Sequence, residues 1–169
     1  YEELPEVLID AIIATEDSRF FEHNGLDLPR FIKASYYYLI GSNAGGASTL
    51  TMQVSKNTYT NNESTGIKGL IRKFTDIYLS KFKKEIIEFY VNAPYLGSGN
   101  YGVAMATKNY FNKDVNDINL VEAATIAGLF QAPSAYDPRI NKDEANKGKN
   151  EVISLMLRHG YITKEIAES

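Results

Sequence analysis

No stretch of this chain alternates apolar and polar residues with a period of two for long enough to bury one face of a β-sheet. Apolar residues recur instead every three to four positions. Leu4, Val7, Leu8, Ala11, Ile12 and Thr15 form the first such stripe, with Pro5 near the first turn, where its missing N–H does no harm. A second helix is expected from about Pro29, carrying Leu28, Phe31, Ile32, Tyr36 and Leu39. Helical spacing resumes from about Ser48 to Asn57 and again over residues 67–91, where Leu70, Ile71, Phe74, Ile77 and Tyr78 form the first apolar face. Asn119 followed by Glu122 reads as a capping box for a helix through Leu129. A last amphipathic helix runs from about Asp143 to Arg158, with Gly160 suited to its C-terminal cap and Thr163 to the start of a short terminal helix. Between these lie glycine-, asparagine- and proline-marked loops at residues 41–46, 61–66, 92–102 and 133–138. The fold class expected is mainly α with long functional loops.

The 169 residues suit one domain with one core. A net charge of −3 supplies no global basic field toward nucleic acid or anionic lipid, so an anion site must be built locally. Without cysteine there is neither disulfide nor thiolate chemistry. No run reaches the roughly 18–20 apolar residues of a membrane span. The abrupt start at Tyr1, already inside a helical pattern, reads as a fragment of a longer chain.

Three polar clusters interrupt the helical pattern. The first, Glu16-Asp17-Ser18-Arg19-Phe20-Phe21-Glu22-His23-Asn24-Gly25, ends the first helix. A carboxylate there suits a general base, with Arg19 or His23 orienting its neighbours; the same letters also describe a solvated helix end. The second runs from Gly45 and Gly46 through Ser48, Thr49, Thr51, Gln53 and Lys56 to Asn57. A glycine loop entering a helix offers free N–H groups and a positive dipole end to an anion, while Thr49, Gln53 and Lys56 fall near one helical face. Read blandly, Ser48 is an N-cap, and Gln53 and Lys56 are surface residues. The third cluster places Lys68, Arg72 and Asp76 on one helix face at steps of four, with Lys73 adjacent. Two cations beside one anion suit a pyrophosphate; spacing alone favours the plainer reading, an exposed ion pair.

Taken in this order, the clusters resemble the signature motifs of glycosyltransferase family 51, the peptidoglycan glycosyltransferases. The first motif, EDxxFxxHxG, is matched at Glu16, Asp17, Phe20, His23 and Gly25. The second, GxSTxTxQxxKN, is matched at Gly46, Ser48, Thr49, Thr51, Gln53, Lys56 and Asn57, and the third, RKxxE, at Arg72 and Lys73. Residues 86–97, 101–103, 110–113 and 120–138 are similar to the family's later motifs, so the resemblance covers essentially the whole chain.

The resemblance implies a lysozyme-like helical domain of two lobes with a substrate cleft between them. It implies an inverting reaction in which Glu16 takes the proton from the 4-hydroxyl of an acceptor GlcNAc while undecaprenyl pyrophosphate leaves the donor strand. Asp76 is the second catalytic candidate. Substrate-binding candidates are Asp17, Arg19, Phe20, His23, Gly46, Ser48, Thr49, Gln53, Lys56, Asn57, Lys68, Arg72 and Lys73, of which Lys56, Arg72 and Lys73 would hold the pyrophosphate. No metal site and no obligatory cofactor are implied, and divalent-metal stimulation is left open. Implied partners are lipid II, the growing lipid-linked strand and a fused or separate transpeptidase, with no nucleic acid. The implied location is the outer face of the bacterial cytoplasmic membrane, anchored by an N-terminal transmembrane helix outside this chain. The tyrosine-rich region 31–40 has aromatic groups on more than one helix face and is expected to meet the membrane surface; packing within the smaller lobe is the alternative.

The sequence departs from the family's pattern at Asp76, where the third motif has glutamate, in a longer stretch than expected between the second and third motifs and in a shorter one between Asp76 and Ile86. A lesser departure is Gly148-Lys149, where the family usually has two arginines. Two other functions share parts of the pattern. A lysozyme-like glycan-cleaving enzyme also uses a helix-borne glutamate but needs no pyrophosphate grip. A degenerate domain would bind lipid II without polymerising it.

Overall fold

In the computed structural model the described residues are 4–23, 27, 29–30, 33–34, 37, 48–50, 52–54 and 83–168. The helices with defined bounds are α1 (Glu6–Glu16), α2 (Lys83–Asn92), α3 (Val103–Phe111), α4 (Leu120–Gln131), α5 (Lys142–Arg158) and α6 (Lys164–Ala167), with a 3-10 turn at Val115–Asp117. Pro29, Arg30, Lys33, Ala34, Tyr37, Leu50 and residues 52–54 are also helical. Among the described residues there is no strand, only an isolated antiparallel bridge between Tyr95 and Tyr101. The mainly α expectation holds. The chain divides into two compact units, one of Tyr1–Ser18 with Val91–Ser169 and one of Arg19–Tyr90.

In the first unit α1 packs against both α4 and α5, which also pack against each other. Pro5 is the N-cap of α1, and its carbonyl accepts from the amides of Leu8 at 3.0 Å and Ile9 at 3.3 Å. The helix is buried more widely than its expected stripe. Ile9, Ile13 and Ala14 join Leu8, Ala11 and Ile12 in the core, while Val7 and Thr15 are only half-buried. A helix apolar on most of its circumference belongs inside a fold rather than on its surface, and each large side chain so buried contributes about 1.5–3 kcal/mol.

Helix α4 begins with the expected capping box. The Asn119 side chain accepts from the Glu122 amide at 3.0 Å, and the Glu122 carboxylate accepts from the Asn119 amide at 2.9 Å. Lys113 donates to the same carboxylate at 2.9 Å. Small residues let α4 and α5 approach closely, since a Cβ built on Gly128 would lie 3.4 Å from the carbonyl carbon of Gly148. A Cβ on Gly148 would meet the Tyr136 ring at 2.6–2.9 Å. This accounts for the glycine at 148: the Tyr136 ring occupies the space a side chain there would need.

Helix α5 ends as Gly160 suggested. Gly160 has φ +79°, its amide donates to Leu157 at 3.2 Å, and the Tyr161 amide reaches back to Met156 at 2.9 Å. Thr163 caps α6 by accepting from the Ile166 amide at 3.4 Å.

The glycine-rich loop between α2 and α3 folds into a tight hairpin. The amide of Leu96 donates to Asn100 at 2.8 Å, that of Asn100 to Gly97 at 2.8 Å, and that of Gly102 to Pro94 at 2.9 Å. Gly97, Ser98 and Gly99 all take positive φ. The hairpin is fixed from outside by the Tyr110 hydroxyl, which donates to the Leu96 carbonyl at 2.9 Å, and by the buried carboxylate of Asp137. Asp137 accepts from the Ser98 hydroxyl at 2.7 Å and from the Arg139 amide at 3.0 Å.

The second unit buries Phe20, Leu50, Val54, Ile86, Ile87 and Tyr90. In α2 the buried positions 86, 87 and 90 form a one-sided stripe, leaving Lys84, Glu85, Glu88 and Phe89 exposed, while the apolar face expected at Leu70, Ile71, Phe74, Ile77 and Tyr78 lies outside the described residues.

Candidate active site

Glu16 is the last residue of α1 and is half-buried. Asp17, the C-cap, is fully buried, and its amide closes the helix by donating to Ile13 at 2.9 Å. The end of a helix buried on most sides gives a carboxylate a fixed origin, which a general base requires.

The remainder of the first motif belongs to the second unit. Arg19 grips Asp27 with both arms of its guanidinium, Nε donating at 3.0 Å to one carboxylate oxygen and the terminal nitrogen to the other. Asp27 is buried, and it also accepts from the Arg30 amide at 3.0 Å, capping the helix that includes Pro29. Burial alone would raise the Asp27 carboxyl. The Arg19 and Arg30 hydrogen bonds, with the charges of Arg19 and His23, outweigh it and hold the group below the ordinary value of 3.8. Phe20 is buried and meets Phe21 and His23 edge-on, with ring centroids 5.3 and 6.3 Å away. Lys83, at the start of α2, donates to the Phe20 carbonyl at 2.8 Å and sits over the Phe20 ring at 5.6 Å.

In the second motif Ser48 is exposed, whereas Thr49 is fully buried. Thr49, not Ser48, supplies the cap: its hydroxyl accepts from the Met52 amide at 3.3 Å and its carbonyl from Gln53 at 3.0 Å. Gln53 accepts from the Tyr90 hydroxyl at 3.4 Å. Gly46, Lys56, Asn57, Lys68, Arg72, Lys73 and Asp76 lie outside the described residues, as does most of the 31–40 region; of that region Lys33, Ala34 and Tyr37 are helical, with Lys33 exposed and the other two half-buried. Among the described residues no group of three or more acidic, histidine or cysteine side chains could hold a metal ion.

Two structural partners of the first motif were not foreseen. Asp27 had a local signal, an aspartate two positions before a helix-starting proline. Lys83 had none, because its bond to Phe20 spans 63 positions.

The lowered Asp27 carboxyl sets the sign of a pH effect. Its stabilisation is full above the unfolded carboxylate value and is lost as pH falls through the lower folded value. Replacing Arg19 by methionine leaves the buried carboxyl without its main partner, so acid unfolding followed by circular dichroism should begin at a higher pH than in the parent. An unchanged acid midpoint would remove this pair from the account of stability.

Residues 1–157 match the protein family described as Transglycosylase. The chain is 42% identical over 166 residues to penicillin-binding protein 1A of Vibrio cholerae, covering 96% of this chain and 20% of that protein. It is 39% identical over 170 residues to penicillin-binding protein 1A of Streptococcus oralis, covering 96% of this chain and 26% of that protein. The crystal structure of penicillin-binding protein 1A from Haemophilus influenzae is similar over 98% of this chain and 15% of that one, with a TM-score of 0.58 and 28% identity. The chain therefore spans only about a fifth to a quarter of the length of these curated relatives.

Proposed function

Because the chain belongs to the transglycosylase family, the peptidoglycan glycosyltransferases, we propose that it polymerises lipid II into glycan strands with release of undecaprenyl pyrophosphate. The observation that carries this reading furthest is the placement of Glu16, half-exposed at the end of a buried helix and followed by the buried Asp17.

Glu16 takes the proton from the 4-hydroxyl of the acceptor GlcNAc. That oxygen bonds to the anomeric carbon of the donor strand as the bond to pyrophosphate breaks, inverting the centre. Lys56, Arg72 and Lys73, with Lys68, hold the charge that develops on the leaving group, and such preorganised charge is commonly the largest catalytic contribution. Asp76 assists near the same group. Gly46, Ser48, Thr49, Gln53 and Asn57 serve the donor region, and Asp17, Arg19, Phe20 and His23 are further substrate-binding candidates. Thr49 and Phe20 contribute from inside the fold, by shaping the segments that carry their exposed neighbours. The reading needs no obligatory cofactor, and a divalent cation would act by stimulating turnover.

Lipid-linked substrates place this chemistry at the outer face of the cytoplasmic membrane, with the 31–40 region toward the lipid. In this reading the anchor is an N-terminal transmembrane helix, and the transpeptidase that acts with it is either fused or separate. No helix among the described residues is long and apolar enough to cross a membrane.

Incubating the full-length protein with labelled lipid II should give a ladder of glycan polymer, abolished by moenomycin. Fragments released from purified wall with no polymer made would overturn the reading in favour of a glycan-cleaving enzyme. Lipid II binding without any product would favour a degenerate domain.

A further inference from the structure

We propose that Tyr161 is a positioning residue for Glu16, a role that rests on the reading of Glu16 as the general base. Helix α1 ends at Glu16, and Asp17 leaves the helical region with φ −155° and ψ 71°. Beyond that point the helical ladder no longer orders the backbone. The next carbonyl, that of Ser18, accepts instead from the Tyr161 hydroxyl at 3.1 Å, across 143 positions of sequence. Ser18 is also the last residue of the first unit before the chain enters the second.

Tyr161 is well placed to act as a fixed point. It follows Gly160, whose left-handed turn ends α5, and its own amide is tied to the carbonyl of the fully buried Met156 at 2.9 Å. Helix α5 in turn packs against α1. Glu16 is therefore bracketed. On its N-terminal side stands the buried helix, and two residues on its C-terminal side stands a carbonyl held by a side chain from the far end of the unit. A terminal helical residue frays when the backbone after it is released, and small misplacements of a catalytic group are costly in rate. Tyr161 lies beyond residue 157, where the family match ends.

The test compares Tyr161→Phe, Thr163→Ala and Glu16→Gln in the full-length protein, using labelled lipid II and hydrogen exchange of the 15–23 segment. Tyr161→Phe keeps the ring and removes only the donor. It should lower kcat about three- to tenfold, the scale of one lost hydrogen bond, leave KM unchanged, and speed exchange in that segment. Thr163→Ala loses the α6 cap and is expected to keep parental kcat. Parental kcat in Tyr161→Phe, with Glu16→Gln inactive, overturns the role of Tyr161 and leaves the base in place. A matching kcat loss in Thr163→Ala, or a change confined to KM, overturns it as well by showing a general structural effect. An active Glu16→Gln overturns the reading of the base, and the positioning role with it.

Discussion

Replacing Glu16 by glutamine in the full-length protein is expected to lower polymerisation of lipid II by roughly 10²–10⁴-fold, the contribution of a positioned general base. Glutamine keeps the length and shape of the side chain but cannot take the acceptor's proton. The fold should not suffer, because α1 is held by Leu8, Ile12 and Ile13 in the core, and Glu16 is only half-buried at its end. Binding of moenomycin should also persist, because the cations assigned to the pyrophosphate are untouched. The decisive measurements are the initial rate of polymer formation beside the melting temperature and the moenomycin affinity of the same preparation. Near-parental turnover would remove Glu16 from the mechanism. Loss of rate together with loss of the fold would give Glu16 a structural role.

The largest expected effect on stability comes from Gly97→Ala. Gly97 has φ +80°, and a Cβ there would lie 2.7 Å from the Asp137 carboxylate, the Pro133 carbonyl and the Tyr110 hydroxyl at once. The left-handed backbone alone costs a residue with a side chain about 1–2 kcal/mol. The contacts add more, because relieving them means moving a buried carboxylate off the Ser98 hydroxyl and the Arg139 amide. A total of roughly 3 kcal/mol or more is expected, a fall in Tm of about 6–12 °C for a domain of this size. Gly99→Ala separates the two contributions. Gly99 shares the φ of +80° but has nothing within 4 Å of its Cβ position, so it should show the backbone cost alone. Equal melting temperatures for the two variants would mean that the hairpin shifts freely and that Asp137 does not clamp it.

What was legible in the letters was mostly what neighbouring residues decide among themselves. The capping box at Asn119 and Glu122, the glycine ending of α5 and the Thr163 cap are each completed within a few residues, so each could be read in place. The helix starting near Pro29 and the glycine-rich loop before α3 were visible for the same reason, though not the loop's hairpin form. Contacts made across long stretches of chain were not. Ser48 and Thr49 are adjacent hydroxyls after a loop, and only the packing reveals that Thr49 is the buried cap. Periodicity marked one stripe of α1, while the helix is enclosed on further sides by α4 and α5, 100 residues and more away in sequence. The candidate catalytic base was legible by resemblance to a family motif; its local letters alone also fitted a solvated helix end.

The ring of Tyr136 lying over Gly148 makes these two positions a single unit of variation. An arginine at 148 cannot be introduced alone, because its first carbon would already overlap the ring. It would have to arrive together with a smaller residue at 136. That exchange would loosen the loop carrying Asp137, and through Asp137 the Ser98 tip of the hairpin. Grafting this chain's sequence onto a relative, or the reverse, should therefore transfer residues 133–139 and the first half of α5 as one block.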